Sequence, residues 1–194
     1  MAILPAVWAK DAMNVLIQIL KTFSPDFFKK RVLKELFIIT ARAFDREIPS
    51  LEGLSHQAGL RQYALFTRAA VEESTRLQQD LPGIRIRLYD QAYRLGHQLR
   101  NQFRIKTDGQ VMAMGRILYE VLGIEFQDAG QGRIAIHKCF FSEYYTGPIC
   151  QLISALDEGV LSGLSGGGRL DFSQRLTEGK ECCQAQFVSG AVRV

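Results

Sequence analysis

The chain has 194 residues, 47% of them hydrophobic and 23% charged, which fits one domain with a substantial core, with or without a helical N-terminal extension. Its formal net charge of +4 is spread among interspersed acids, so it gives no argument for nucleic acid. No apolar run reaches the length of a membrane span and no signal-peptide pattern follows the start; with four cysteines, this points to a reducing, cytoplasmic setting with free thiols or metal ligands.

In chain order, Ala6 to Phe23 reads as an amphipathic helix. Ser24-Pro25-Asp26 marks the next start, with Ser24 as cap and Pro25 in the first turn. That second helix runs to about Asp45 on Phe28, Val32, Leu36, Ile39 and Phe44, and its Lys29-Lys30-Arg31 run reads as a solvated face. Leu54 to Gln79 is helical again, and Leu81-Pro82-Gly83 reads as its terminator. From Ile86 to Phe103, the side chains Leu88, Ala92, Leu95, Leu99 and Phe103 form one core-facing stripe, with His97 offset from it. Thr107 and Gln110 have the spacing of a capping box, and the helix they open ends at Gly123. Ile124-Glu125-Phe126 then pairs with Ile134-Ala135-Ile136 through the Asp128 to Gly132 turn.

The strand from Arg133 to Phe141 opens the stretch that concentrates reactive side chains: His137, Cys139, Cys150, Asp157, Glu158, Cys182 and Cys183. After Gly147-Pro148, the residues Ile149 to Leu164 read as one long helix, with Cys150 in its first turn, where partial positive charge favours a thiolate. Asp157 follows Cys150 by seven positions and returns near the same helix face. Gly166-Gly167-Gly168 stops the helix; it lacks the lysine and Ser/Thr of a phosphate loop. Leu170 and Phe172 begin another strand, and Cys183 to Val188 a further one, in which only one of Cys182 and Cys183 can face a shared pocket.

These elements predict an α+β fold: a helical N-terminal part (1–82, a lid or dimer surface) on a small antiparallel β-sheet with a long helix in the C-terminal half (83–194, the ligand-binding or catalytic core). His137, Cys139, Cys150 and Cys183 have identities that suit a metal ion, but none shows the paired spacing of a zinc ribbon, so no metal site is assigned. For nucleophilic chemistry, Cys150, Cys183 and Cys139 are the candidate thiols, with Asp157, Glu158 or His137 as proton-transfer partners. Arg169 and Arg175 are candidate carboxylate-binding forks, and Tyr144 and Tyr145 a candidate apolar wall.

The pattern Cys139…Cys150-x6-Asp157…Leu170-x-Phe172…Leu176-x2-Gly179-x3-Cys183-x3-Phe187 resembles the C-terminal core of the L-2-amino-thiazoline-4-carboxylic acid hydrolase family. The resemblance covers the last third to half of the chain. It implies hydrolytic opening of a five-membered thiazoline ring to an N-carbamoyl cysteine, with Cys139, Cys150, Asp157 and Cys183 as the site. The tail is also similar to the 4-vinyl reductase family of small-molecule-binding domains, although Ser173 to Thr177 lacks the further cysteine those domains carry. Two functions are therefore expected: a hydrolase of a small cyclic amidine or thiazoline carboxylate, or a non-catalytic sensor or carrier for a hydrophobic ligand, tetrapyrrole or metal. Either could act as a homodimer.

Overall fold

A computed structural model describes residues 26–190; the Ala6 to Phe23 helix and the Ser24-Pro25 cap lie outside that range. The helices are α1 (Asp26–Phe44), α2 (His56–Arg76), α3 (Leu81–Gln102), α4 (Asp108–Val121), α5 (Gly147–Ile153) and α6 (Ala155–Ser165). The strands are β1 (Ile124–Asp128), β2 (Arg133–Cys139), β3 (Arg169–Gln174) and β4 (Cys183–Val188). They form one antiparallel sheet in the order β1-β2-β4-β3. This is the α+β architecture expected from the sequence.

Local chemistry sets most boundaries. The Ser55 hydroxyl accepts the Ala58 N–H at the start of α2. Thr107 and Gln110 form the reciprocal capping box that opens α4. Gly166, at φ 81°, takes the left-handed conformation that ends α6. Leu81-Pro82-Gly83 differs from expectation: it opens α3 instead of closing α2. Asp80 caps the new helix by accepting the Gly83 N–H at 3.0 Å, and Pro82 lies in the first turn, where its missing N–H has no helical partner to lose. The long C-terminal helix is interrupted once, at Ser154, whose hydroxyl donates back to the Gln151 carbonyl at 2.9 Å. The hydrogen bonds Ser154 N–H to Cys150 O and Glu158 N–H to Ser154 O keep α5 and α6 nearly continuous.

One packing feature fixes α6 in the molecule. A Cβ at Gly159 would lie 2.4 Å from the Tyr89 carbonyl, and one at Gly163 2.2 Å from the Tyr93 carbonyl. From the other side, a Cβ at Gly96 would lie 2.2 Å from the Val160 carbonyl. Helices α3 and α6 therefore meet backbone to backbone, at a separation only glycine allows. The sheet packs its Phe126, Ile134, Ile136, Leu170, Ala185 and Phe187 face inward, while Glu125, Gln127, Gln184 and Gln186 face solvent. Side chains from both predicted regions, among them Phe37, Ala64, Leu88, Met114 and Leu161, belong to one continuous core. Among the described residues, no helix is long and apolar enough to cross a membrane.

Candidate functional site

A cavity of about 110 Å³ lies where α1, α2, α4, the β1–β2 end of the sheet and the α5–α6 rod converge. Its wall is mostly aliphatic and aromatic: Val32, Leu36, Leu118, Ile153, Val160 and Tyr63 are representative. Three of the sequence-predicted site residues, Cys139, Cys150 and Asp157, face this one space, as does Tyr145.

Each arrives by a different local device. Cys139 reaches the cavity through a β-bulge. Ile124 pairs with Cys139 but Phe126 with Ile136, so β2 carries one extra residue there. Without the bulge, Cys139 would share the outward side of His137, opposite Ile134 and Ile136; with it, the thiol turns inward while Lys138 stays exposed. Cys150 and Asp157 keep the two-turn relation expected of them despite the break at Ser154. Tyr145 packs its ring on Phe141 (centroids 5.4 Å apart) and bonds its hydroxyl to Thr67.

The electrostatics of the site follow from burial. Desolvation pushes the Asp157 carboxyl up to about 7, against the Tyr119 hydroxyl, which holds it down; Glu158 adds to the rise and Arg175 opposes it. Asp157 is half-buried and lines the cavity, so its carboxyl is desolvated although not fully covered. Tyr119 lines the same space as Asp157, and its hydroxyl favours the ionised carboxyl. Burial pushes the Cys139 thiol up to about 12, opposed by the Phe141 backbone. It pushes Cys150 up to about 11, opposed by Thr177 and Arg175. Burial thus works against the thiolate expected at Cys150 from its helix-start position, and α5 is a helix of only seven residues.

The remaining candidates sit elsewhere. Cys183 is buried on the inner face of β4, where its sulfur accepts the Leu176 N–H at 3.4 Å; burial raises its pKa, and it stands behind the cavity wall. Cys182 points the other way, accepting from the Gln174 side chain at 3.5 Å, so Cys183 is the inward member of the pair. Tyr144 packs on Phe140 outside the cavity. Arg169 is exposed on β3 and pairs with Asp171 at 2.7 Å, because odd-numbered positions of that strand face solvent. Arg175 lies at the rim: it covers the Phe172 ring, donates to the Ser154 hydroxyl at 3.3 Å and pairs with Glu178 at 3.6 Å. His137 is exposed on the outer side of the sheet. Glu158 turns away from the cavity, and Arg85 grips it at 2.6 and 2.7 Å. Among the described residues, no three His, Cys, Asp or Glu side chains gather in a way that could hold a metal ion.

Tyr119 and Tyr63 were not legible as site residues. Both lie on the buried faces of amphipathic helices, where a tyrosine passes for core; the one available signal is that a buried phenol requires a hydrogen-bond partner. Tyr63 finds Thr40 at 2.8 Å, and Tyr119 lines the cavity with Asp157.

No protein-family model and no curated protein matches this chain. Among solved structures, it is similar to a trafficking protein particle complex subunit 3 from Naegleria fowleri, whose crystal structure is described as covalently bound to palmitic acid. The likeness has a TM-score of 0.45 and 14% identity over 69% of this chain and 97% of that one, a level that carries no argument about function.

Proposed function

We propose that the protein is a non-catalytic binding domain for a small hydrophobic molecule, held in the cavity between α1, α4 and α6. The observation that carries this reading is the character of the cavity wall. It is almost wholly apolar, and its titratable groups, Asp157, Cys139 and Cys150, are each pushed by burial toward their neutral forms. The volume sets the scale. About 110 Å³ is somewhat less than the ~150 Å³ engineered cavity that stays dry and binds benzene. A ring of five or six atoms, or a short chain, is the matching occupant. Toluene should raise the unfolding temperature of the purified protein saturably. Binding to the folded state stabilises by about 2.7 kcal/mol at a hundredfold excess over Kd. Val160→Phe, which fills the cavity, should remove the effect. A midpoint unmoved by toluene would refute the reading.

The hydrolytic reading draws on the same constellation and has one observation in its favour: a carboxyl titrating at about 7 beside two thiols is suited to general acid–base work. Two features weigh against it. The thiols lack the lowered pKa a nucleophile needs, and Arg175 turns its two terminal nitrogens to Ser154 and Glu178, although its Nε is buried without a partner. Incubation with L-2-amino-thiazoline-4-carboxylate decides it. Turnover abolished by Cys150→Ser would establish the hydrolase, and no turnover would remove it.

A further inference from the structure

The polar groups of the cavity can be counted for the hydrogen bonds they still have to give. The Tyr63 hydroxyl is committed to Thr40 at 2.8 Å, the Tyr145 hydroxyl to Thr67, and the Ser154 hydroxyl to the Gln151 carbonyl at 2.9 Å. Apart from the weak thiol donors of Cys139 and Cys150, that leaves the Asp157 carboxyl and the Tyr119 hydroxyl, which line the same space from α6 and α4. In their neutral forms the two groups carry two O–H protons between them. A bond between the two can use only one of them. The other is left for a molecule in the space that both groups line.

Resting on the binding function proposed above, we infer that the ligand is an uncharged molecule whose polar end is a hydrogen-bond acceptor, such as a ketone, held by the Asp157 carboxyl and Tyr119 hydroxyl. Its apolar body lies against Val32, Leu118 and Val160.

The opposite arrangement, an amine paired with an ionised Asp157, meets the physical chemistry of the wall less well. It places both charges where aliphatic groups have replaced water, and one ion pair seldom repays that desolvation. The titratable groups around Asp157 give little help to a charge. They are Tyr63 from α2, Tyr119 from α4, Cys139 from β2, Cys150 from α5, Cys183 from β4, Glu158 from its own helix and Arg175 from the β3–β4 connection. Arg175 is the one cation among them, and Glu178 and the Phe172 ring hold it at the rim. The carboxyl, at about 7, holds its proton in acid and gives it up in mild alkali, so affinity for the acceptor falls as pH rises.

Three probes of one shape test this by calorimetry on the intact protein: methylcyclopentane, cyclopentanone and cyclopentylamine. In mild acid, cyclopentanone should bind roughly fivefold more tightly than methylcyclopentane, the worth of one net hydrogen bond. That preference should vanish in mild alkali. Asp157→Asn, which keeps a donor but does not titrate, should retain it at both pH values, and Asp157→Leu should abolish it while methylcyclopentane still binds. Equal affinity for ketone and hydrocarbon in acid would overturn the inference and leave the binding function standing. A preference for the amine that grows with pH would overturn it in favour of an ionised Asp157. Binding of none of the three would overturn both.

Discussion

The cavity carboxyl makes a measurable demand on folding. Asp157 titrates at about 7 in the folded chain against an ordinary value of 3.8, so between these values the folded state holds a proton the unfolded state has released. Stability therefore falls as pH rises through that window and levels off above it. Three pH units at about 1.4 kcal/mol each give an effect of about 4 kcal/mol across the full window. Asp157→Asn removes the titration while keeping nearly the same volume. Urea unfolding of both proteins at about pH 5 and about pH 8 isolates the effect, because other titrating groups cancel in the difference. The variant should gain about 3 kcal/mol on the parent between those conditions. Parallel behaviour of the two proteins would refute the reasoning, and with it the neutral cavity.

Further outcomes follow from neighbouring contacts. Tyr119→Phe removes the hydroxyl that holds the Asp157 pKa down, so the inflection in the pH–stability curve should move to higher pH; an unmoved inflection would break the pairing. Gly163→Ala would set a Cβ 2.2 Å from the Tyr93 carbonyl and force α3 and α6 apart, which outweighs the helix propensity gained and should cost about 2 kcal/mol. Gly109→Ala in α4, where nothing lies within 4 Å, is the control and should stabilise by about 0.5 kcal/mol; the two midpoints in urea report both. With its thiol at about 11, Cys150 should react with iodoacetamide at neutral pH about a hundredfold more slowly than an unhindered cysteine, read by mass spectrometry of the modified peptide.

The fold was largely legible because its signals are local. The Thr107 and Gln110 box, the Gly166 stop and the β1–β2 hairpin each depend on a few adjacent residues, and each forms, although the hairpin register differs from expectation: Asp128, expected in the turn, pairs with Ile134, and Ile124 with Cys139. Leu81-Pro82-Gly83 was misread because proline and glycine punctuate both ends of helices, and only the Asp80 cap tells which end is meant. The site was legible in part. Cys150 and Asp157 share a helix face, so periodicity brings them together. Cys139 needs a bulge, which alternation alone does not reveal, and the expected grouping with His137 failed for the same reason. Arg169 and Tyr144 face outward because of strand parity and ring stacking, which register alone decides. Burial works against the thiolate that helix position favours at Cys150, because desolvation raises its pKa. The Gly159-x3-Gly163 spacing was present in the sequence as a close-packing signal, and its partner Gly96 became apparent only in three dimensions.

The most direct test of ligand binding is a methyl-resolved NMR titration of the protein with benzene. Saturable ring-current shifts confined to Val32, Leu36, Leu118, Ile153 and Val160, with Ile84 and Leu88 of the neighbouring core unmoved, are the predicted result. Shifts that never saturate, or that fall on methyls outside the cavity, would contradict it.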